Sequence, residues 1–199
     1  MHTQPNQDYT TIARFLTRTI QFSTFRNSYE RSLALVTDYL ARTFHVGKDE
    51  VALLVLDRVG QELRFVAPDY LARLSATIPF GRRQSQAAIC LWDQKARIEN
   101  RFAAVNHLAY FEKVRRDNPH PHTIEKLLTY PVVSGSSPIG VVQISRKRTL
   151  NQATLPDFHV DDIRILEAIQ APLRALLQGI RSASSESTPA PELRKGGTQ

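Results

Sequence analysis

Few residues in this chain have the types and spacings that catalysis or metal binding requires. Cys90 is the single cysteine, so neither an internal disulfide nor a cysteine-only metal cluster can form within one chain. His120 and His122 flank a proline in DNPHPHT and could together hold a Zn²⁺ or Ni²⁺ ion weakly. No acidic or thiolate residue stands at a matching spacing, so we interpret both histidines as loop residues and expect no metal site.

Catalytic motifs do not occur in the sequence either. It contains no HExxH, GxSxG, GxxxxGKS/T or GxGxxG pattern, which leaves zinc-protease, hydrolase and phosphate-loop chemistry without support. Leu91 and Trp92 follow Cys90, and this apolar context is typical of a small buried core residue rather than a nucleophile. We therefore predict that the protein is not an enzyme, and no residue pattern identifies a cofactor.

A second set of residues has the character of a small-molecule site, which needs a mostly apolar cavity with a few polar anchors. Gln143 and Ser145 alternate with Val142 and Ile144, which places both polar side chains on one face of a strand. Ordinary core packing is the alternative for each aromatic, whereas Gln143 should have a hydrogen-bond partner if it is buried. The candidate pocket residues are Trp92, His107, Tyr110, Phe111, Tyr130, Gln143 and Ser145.

Two hairpins are predicted to position these residues. Val51–Leu56 is almost wholly apolar, as in a strand covered on both faces. Glu62–Ala67 alternates between polar and apolar residues, as in a neighbouring strand with one face more exposed to solvent. The residues between them, 57–60, form the turn. The second hairpin pairs residues 127–133 with 139–145 across SGSSP, whose Gly, Ser and Pro allow the backbone to reverse.

Helices are predicted at both ends of the chain. Residues 10–22 form a first amphipathic helix. The spacing of Asn27 and Glu30 predicts a capping box that opens a second helix, which ends near residues 45–47. The last helix covers 157–180, where Pro172 predicts a bend near 168–172. The inward residues are Ile12, Leu16 and Ile20 in the first helix, Leu33, Val36, Leu40 and Phe44 in the second, and Ile163, Leu166, Ile169, Leu173, Leu176 and Ile180 in the last.

The middle of the chain, residues 68–124, is predicted to cover a cavity on the sheet with short helices and loops. Residues 85–92 suit a short helix and residues 96–99 a short strand. A helix over 103–116 would bring His107, Tyr110 and Phe111 within one turn of each other. Most ligand chemistry is therefore expected here.

One domain over residues 10–181, with its core at 27–180, fits the length and the 42% hydrophobic content. A flexible segment, 1–9, and a disordered Ser- and Pro-rich tail, 182–199, flank it. Neither an apolar run long enough for a membrane span nor a signal peptide is found, so we expect a cytoplasmic protein without membrane contact. The net charge of +7 comes from scattered basic pairs, which makes nucleic acid an improbable partner.

The segment PIGVVQISRK, followed by DFHVDDIRILEAI, resembles the last third of a GAF domain, the small-molecule sensing module of bacterial signalling proteins. The resemblance extends loosely over residues 27–180. It implies an α+β fold, an α/β sandwich with a central antiparallel sheet of five to six strands. The N- and C-terminal helices would cover one face, with short helices and loops over a pocket on the other, and the outer helices would pair two copies into a homodimer.

The resemblance also bears on activity. Relatives that reduce free methionine sulfoxide use several cysteines, because a nucleophilic thiolate needs a resolving partner, and this chain has one. His159 stands where relatives often have a Thr or Ser helix cap, and it is the weaker cap.

The expected function is a non-catalytic sensory or regulatory module in signal transduction. Binding of an unidentified small molecule would alter how the dimer helices pack. Because the tail that follows residue 181 cannot fold into an output domain, the module would act on a signalling partner protein in trans. A ligand-free dimerisation scaffold is the alternative, and a basic nucleic-acid-binding protein is a weaker one.

Overall fold

The computed structural model describes residues 26–102, 123–148 and 155–183, together with Arg14 and Arg18, which are both helical. A short 3₁₀ turn, Lys48–Glu50, leads into the sheet. The helices in these ranges are α1 (Arg26–Phe44), α2 (Asp69–Arg73), α3 (Gln86–Asp93), α4 (Val160–Ala168) and α5 (Gln170–Ala183). The strands are β1 (Val51–Leu56), β2 (Glu62–Ala67), β3 (Thr77–Pro79), β4 (Arg97–Glu99), β5 (Ile124–Ser134) and β6 (Ser137–Lys147).

These strands form one antiparallel sheet in the order β3-β2-β1-β6-β5-β4. β1 is buried at every position, as predicted for a strand covered on both faces, and β2 alternates as predicted. β5 and β6 are longer than predicted and meet at a turn of two residues, because Ser134 already pairs with Ser137. Gly135 has a φ of 59°, which this tight turn requires.

Each face of the sheet has its own apolar core. On one face, α1, α4 and α5 pack against alternate residues of β1, β5 and β6, and we call this the helix face. On the opposite face, α2 and α3 pack against the remaining residues of β1, β2 and β6. The predicted α+β sandwich is confirmed, while α2 and β3 are additions that the sequence pattern did not indicate.

The start of α1 differs from the prediction, whereas its end agrees with it. The capping box at Asn27 is wrong, because α1 already includes Arg26. The helix ends at Phe44, and the next residue, His45, adopts the left-handed conformation with a φ of 53°. The Val46 N–H then donates to the Ala41 carbonyl at 2.9 Å, which closes the last turn.

The last helix is interrupted where the proline predicted a bend. α4 ends at Ala168 and α5 begins at Gln170, with Ile169 between them outside helical geometry. Pro172 has no N–H to continue the backbone hydrogen bonds of a straight helix. α5 extends to Ala183, two residues into the segment predicted to be a disordered tail.

Several predictions fall on residues outside the described ranges. These are the flexible segment 1–9, most of the helix at 10–22, the helix at 103–116, the two loop histidines and residues 184–199 of the tail. In the part of the chain that is described, no helix combines the length and apolar character needed to cross a bilayer.

Gly140 offers a test of the close contact between β6 and β1. A Cβ at this position would overlap the Leu54 carbonyl oxygen and lie 2.9 Å from Leu177 Cδ1. We expect Gly140→Ala to lower the free energy of unfolding by about 2–4 kcal/mol, because overpacking costs about 1–3 kcal/mol and backbone must also move here.

Gly81→Ala is the matched control, since the described chain leaves open space around a Cβ there. Its unfolding free energy should stay within about 0.5 kcal/mol of the parent protein. Urea denaturation measures both variants, and equal values would contradict the tight β1–β6 contact.

Candidate functional site

A row of polar residues crosses the sheet on the face that α3 covers. Arg97 of β4 lies directly opposite Thr129 of β5, which lies directly opposite Gln143 of β6. Ala52 of β1 continues the row and belongs to the apolar core beneath α3. Side chains at directly opposite positions are about 5 Å apart at Cβ, so they are neighbours. We call Arg97, Thr129 and Gln143 the polar row.

Gln143 is the residue of the row whose hydrogen bonding is incomplete. Its side chain is buried, with 3% of the residue exposed, and Nε2 donates to Thr129 Oγ1 over a long 3.3 Å. Within the described residues, Gln143 Oε1 has no hydrogen-bond partner. Leaving a buried acceptor unsatisfied costs about 1–3 kcal/mol. Gln143 therefore presents an unused acceptor on the face of the sheet that α3 covers.

Arg97 places a positive charge at the end of the same row. Its Nε donates to Gln86 Oε1 at 3.1 Å, and its guanidinium lies 3.6 Å from the Asp93 carboxylate. Both partners come from α3, so this helix holds the arginine against the sheet. Sequence analysis missed Arg97, because the three-residue strand β4 is too short to show which of its residues face α3.

Ser145 shares a face with Gln143, as the alternation predicted, since it lies opposite Leu127 two positions farther along the β5–β6 ladder. Its hydroxyl donates to the Glu50 carbonyl at 3.1 Å. The Glu50 carboxylate accepts from the Lys147 N–H at 2.6 Å. Ser145 therefore helps to fix the end of β6 to the turn before β1.

The placement of Tyr130 with Gln143 and Ser145 is wrong. Thr129 is the residue opposite Gln143, so its neighbour Tyr130 points to the other face, where it belongs to the core beneath α4 and α5. Burial raises the pKa of Tyr130 to about 12, with a smaller contribution from the nearby Glu167 charge. The phenol is therefore neutral and part of the helix-face core.

Trp92 also lies apart from the polar row. It is half exposed near the end of α3, whose inward residues Ala88 and Leu91 pack on the sheet. Its ring contacts Phe80, with centroids 5.4 Å apart, and Arg83 lies 5.1 Å from the ring centroid. Trp92 lies on the helix that covers this face of the sheet, and its role as a pocket residue stays a prediction. The remaining predicted roof residues, His107, Tyr110 and Phe111, lie outside the described residues.

A set of side chains fastens the residues before α4 to the sheet. Asn100 Nδ2 donates to the Phe158 carbonyl at 3.0 Å, and Asn100 Oδ1 accepts from the Phe158 N–H at 2.9 Å. Lys126 donates to the Leu155 carbonyl at 2.6 Å and to the Asp157 carboxylate, whose pKa this hydrogen bond lowers. We call these contacts the α4 brace. No motif in the sequence indicated them.

His159, at the start of α4, caps the helix weakly, as predicted. Its side chain makes no capping hydrogen bond. The Asp162 carboxylate instead accepts from the His159 N–H at 2.8 Å. Two carboxylates in the first turn, Asp161 and Asp162, further suit the positive end of the helix dipole.

The other reactive groups are engaged or enclosed. Cys90 is fully buried, and burial raises the pKa of its thiol well above the usual range. In the described ranges, no three His, Cys, Asp or Glu residues are grouped as metal ligands. Lys147 pairs with Asp49 at 2.9 Å and Arg148 with Glu125 at 2.5 Å.

Comparison with known proteins identifies the fold. No family model matches the sequence, and no curated protein matches it at a significant level. The GAF domain of a phosphoenolpyruvate-protein phosphotransferase from Coxiella burnetii matches with a TM-score of 0.63 and 14% identity, covering 92% of this chain and 99% of that one. Free methionine-R-sulfoxide reductase from Neisseria meningitidis, in complex with its substrate, matches with a TM-score of 0.58 and 16% identity. The match covers 92% of this chain and 98% of the reductase. The GAF domain of a two-component sensor histidine kinase from Bacillus halodurans matches with a TM-score of 0.50 and 17% identity. The match covers 77% of this chain and 97% of that domain.

The chain therefore has the GAF-domain fold, as the resemblance in its last third led us to expect. At these identities the similarity concerns the fold alone. Because a reductase shares this fold with regulatory domains, the function has to be argued from the residues of the site.

The α4 brace can be tested at Asn100. Asn100→Ala removes both hydrogen bonds to Phe158, so we expect a loss of about 1–3 kcal/mol of stability and faster amide exchange at Phe158 and in the first turn of α4. Asn100→Asp keeps the acceptor but not the donor, so Phe158 should retain more protection than in Asn100→Ala. Hydrogen exchange followed by mass spectrometry measures this, and unchanged exchange at Phe158 would contradict the brace.

Cys90 provides a second test, of the enclosure beneath α3. We expect the native thiol to resist Ellman's reagent at neutral pH, because it is buried and burial keeps it protonated. In concentrated guanidinium chloride the single thiol should react promptly and completely. Rapid labelling of the folded protein would show that α3 opens from the sheet.

Proposed function

We propose that this protein is a non-catalytic sensory or regulatory module that binds a small molecule on the polar row. The single observation that carries the proposal is the buried Gln143 Oε1, which has no partner among the described residues. Buried polar atoms in folded proteins normally have partners. A ligand that donates an N–H or O–H to this oxygen would supply the missing hydrogen bond.

The surroundings of Gln143 support binding of a polar molecule with a compact apolar part. Ala52, opposite Gln143 on β1, contributes only a methyl group, so little side-chain volume stands beside the amide. Arg97, two strands away, adds donors that favour an acceptor or anionic group at the other end of the ligand. We infer a ligand with a donor at one end and an acceptor at the other.

The described residues favour binding over catalysis. The only thiol of the chain is buried and its pKa is raised, whereas a nucleophilic cysteine needs a thiolate accessible to its substrate. Asp157 is held in an ion pair with Lys126. None of the described residues on the polar row is a free acid, base or nucleophile.

The proposed output is a change in helix packing. The α4 brace links the end of β4 and β5 to the start of α4, so movement on the ligand face would reach the helix face through these contacts. We propose a cytoplasmic homodimer that pairs through its outer helices and acts on a partner protein in trans. Leu35 on α1 is 40% exposed, and this apolar side chain supports a contact between the outer helices of two copies.

Native mass spectrometry of protein purified from its own host tests the proposal, followed by denaturing extraction of any bound compound. A dimer that carries one defined small molecule per chain would support the sensor. An empty dimer that takes up nothing from cell extract would contradict ligand sensing and favour the alternative of a dimerisation scaffold. A monomer would contradict the proposed helix pairing.

Gln143→Leu then tests the site itself, with the extracted compound as the probe. We expect the ligand-free variant to be as stable as the parent protein or more stable, because an unsatisfied amide is replaced by an apolar group of similar size. The parent protein should gain about 2.7 kcal/mol at a ligand concentration 100 times Kd, and the variant almost none.

Tyr130→Phe is the matched control, because it removes a polar atom from the opposite face of the same sheet. Its ligand-dependent shift in Tm should equal that of the parent protein. If Gln143→Leu kept the full shift, or Tyr130→Phe lost it, the ligand would not lie on the polar row.

A further inference from the structure

The end of α3 carries an exposed tryptophan with basic residues around it. Trp92 is 50% exposed and is the largest of the exposed apolar side chains in the described ranges. The loop before α3, residues 81–84, is exposed throughout and contains Arg82 and Arg83, and the exposed Lys95 follows the helix. We call Arg82, Arg83, Trp92 and Lys95 the tryptophan patch.

The indole of Trp92 is held in place by two neighbours. Phe80, which belongs to the apolar core beneath α3, packs against it with ring centroids 5.4 Å apart. The Arg83 guanidinium lies 5.1 Å from the Trp92 ring centroid, within the range of a cation–π interaction. An exposed side chain that is already ordered loses little conformational entropy on binding. Tryptophan and arginine are also the residue types that most often dominate the binding energy of an interface.

The charges of the tryptophan patch select an acidic partner. Among the described residues, no ion pair engages Arg82 or Lys95. Asp93 is the nearby acid, and it lies between Arg83 at 3.9 Å and Arg97 at 3.6 Å. Both distances exceed those of a well-formed charge-assisted hydrogen bond, which is about 2.7–2.9 Å long. An incoming carboxylate could therefore pair with Arg83 without breaking a tight contact.

We propose that the tryptophan patch binds an acidic segment of a partner protein. An apolar side chain of that segment covers the exposed part of Trp92, and its carboxylates pair with Arg82 and Arg83. The inference rests on the proposed function in one respect, namely that the protein acts on a partner in trans.

Two other kinds of occupant fit the patch less well. Single-stranded nucleic acid binds by stacking a base on an open aromatic face, whereas Phe80 and Arg83 already contact the Trp92 ring. A membrane surface takes up an apolar helix face, whereas α3 packs Ala88 and Leu91 against the sheet. A peptide needs only the exposed part of the indole and the neighbouring cations.

Asp93 also connects the tryptophan patch with the polar row, because it lies between Arg83 and Arg97. Its carboxylate competes with the acidic groups of the partner for Arg83. Removing this carboxylate should therefore strengthen partner binding, whereas reversing the charge of Arg83 should weaken it. These opposite signs distinguish the proposed contact from a general effect of substitution in this region.

A phage-displayed library of random twelve-residue peptides, selected on the full-length chain, tests the proposal. Peptides that also bind the double variant Arg82→Glu with Arg83→Glu are removed by counter-selection. The enriched peptides should carry a net negative charge and at least one large apolar residue. A selected pool that is not acidic, or the absence of any enrichment, would overturn the proposal.

Fluorescence then measures the affinity of a synthetic enriched peptide that contains no tryptophan. Trp92 is the only tryptophan of the chain, so its emission reports the patch directly and should shift to shorter wavelength on binding. We expect Arg83→Glu to raise Kd at least tenfold and Asp93→Asn to lower it about threefold. A peptide that binds without any shift in the emission of Trp92 would place the contact elsewhere.

Arg73→Glu is the matched control. Arg73 is an exposed arginine outside the patch, and it pairs with Asp69 at 4.0 Å, much as Arg83 pairs with Asp93 at 3.9 Å. Its Kd for the peptide should stay within twofold of the parent value. If Arg73→Glu weakened binding as much as Arg83→Glu, the peptide would be responding to net charge and the proposal would be wrong.

A thymidine oligonucleotide and vesicles of phosphatidylglycerol serve as competing probes at the same ionic strength. Tighter binding of either probe than of the peptide, with a shift in Trp92 emission, would overturn the proposal. Failure of the patch can be told apart from failure of the ligand site. Peptide binding by a chain that native mass spectrometry finds empty would keep the patch and reject the sensor. A bound small molecule without peptide binding would do the reverse.

Discussion

The absence of a side chain at Gly140 lets three elements, β1, β6 and α5, meet at one point. The Leu54 carbonyl of β1 and the Leu177 side chain of α5 both approach the space that a Cβ would occupy. This contact sets how close β6 lies to β1 and how close α5 lies to the sheet. Since β6 also pairs with β5 through ten residue pairs, the position of the polar row follows from this contact. Both cores are built outward from this central pairing.

Two-sided burial has a consequence for polar residues in the central strands. Thr129 and Gln143 are almost completely enclosed, so neither can use bulk water as a hydrogen-bond partner. The one long hydrogen bond between them leaves the Gln143 side-chain carbonyl oxygen without a partner among the described residues. Its neighbours Ala52, Leu54 and Val141 on the same face are apolar. A purely structural role would be served better by an apolar pair. This imbalance is the reason to assign binding to the polar row.

The sequence predicted features that depend on local pattern. The apolar run of β1, the alternation of β2, the break near Pro172 and the burial of Cys90 are all confirmed. Features that depend on register or distant contacts were missed. Tyr130 and Gln143 belong to different strands, so only the Thr129–Gln143 pairing reveals that Tyr130 faces away. Likewise, nothing near Asn100 in the sequence indicates its contact with Phe158, 58 residues later.

The contact between Asn100 and Phe158 also defines how the molecule can open locally. Asn100 satisfies both backbone groups of Phe158, much as a neighbouring strand would, and it follows directly after the edge strand β4. An edge strand usually frays independently of the helices around it. Here Asn100 links the end of β4 to the start of α4, so we expect the edge of the sheet and the start of α4 to open together. Proteolytic nicking of that edge would therefore loosen α4 before it loosened α1.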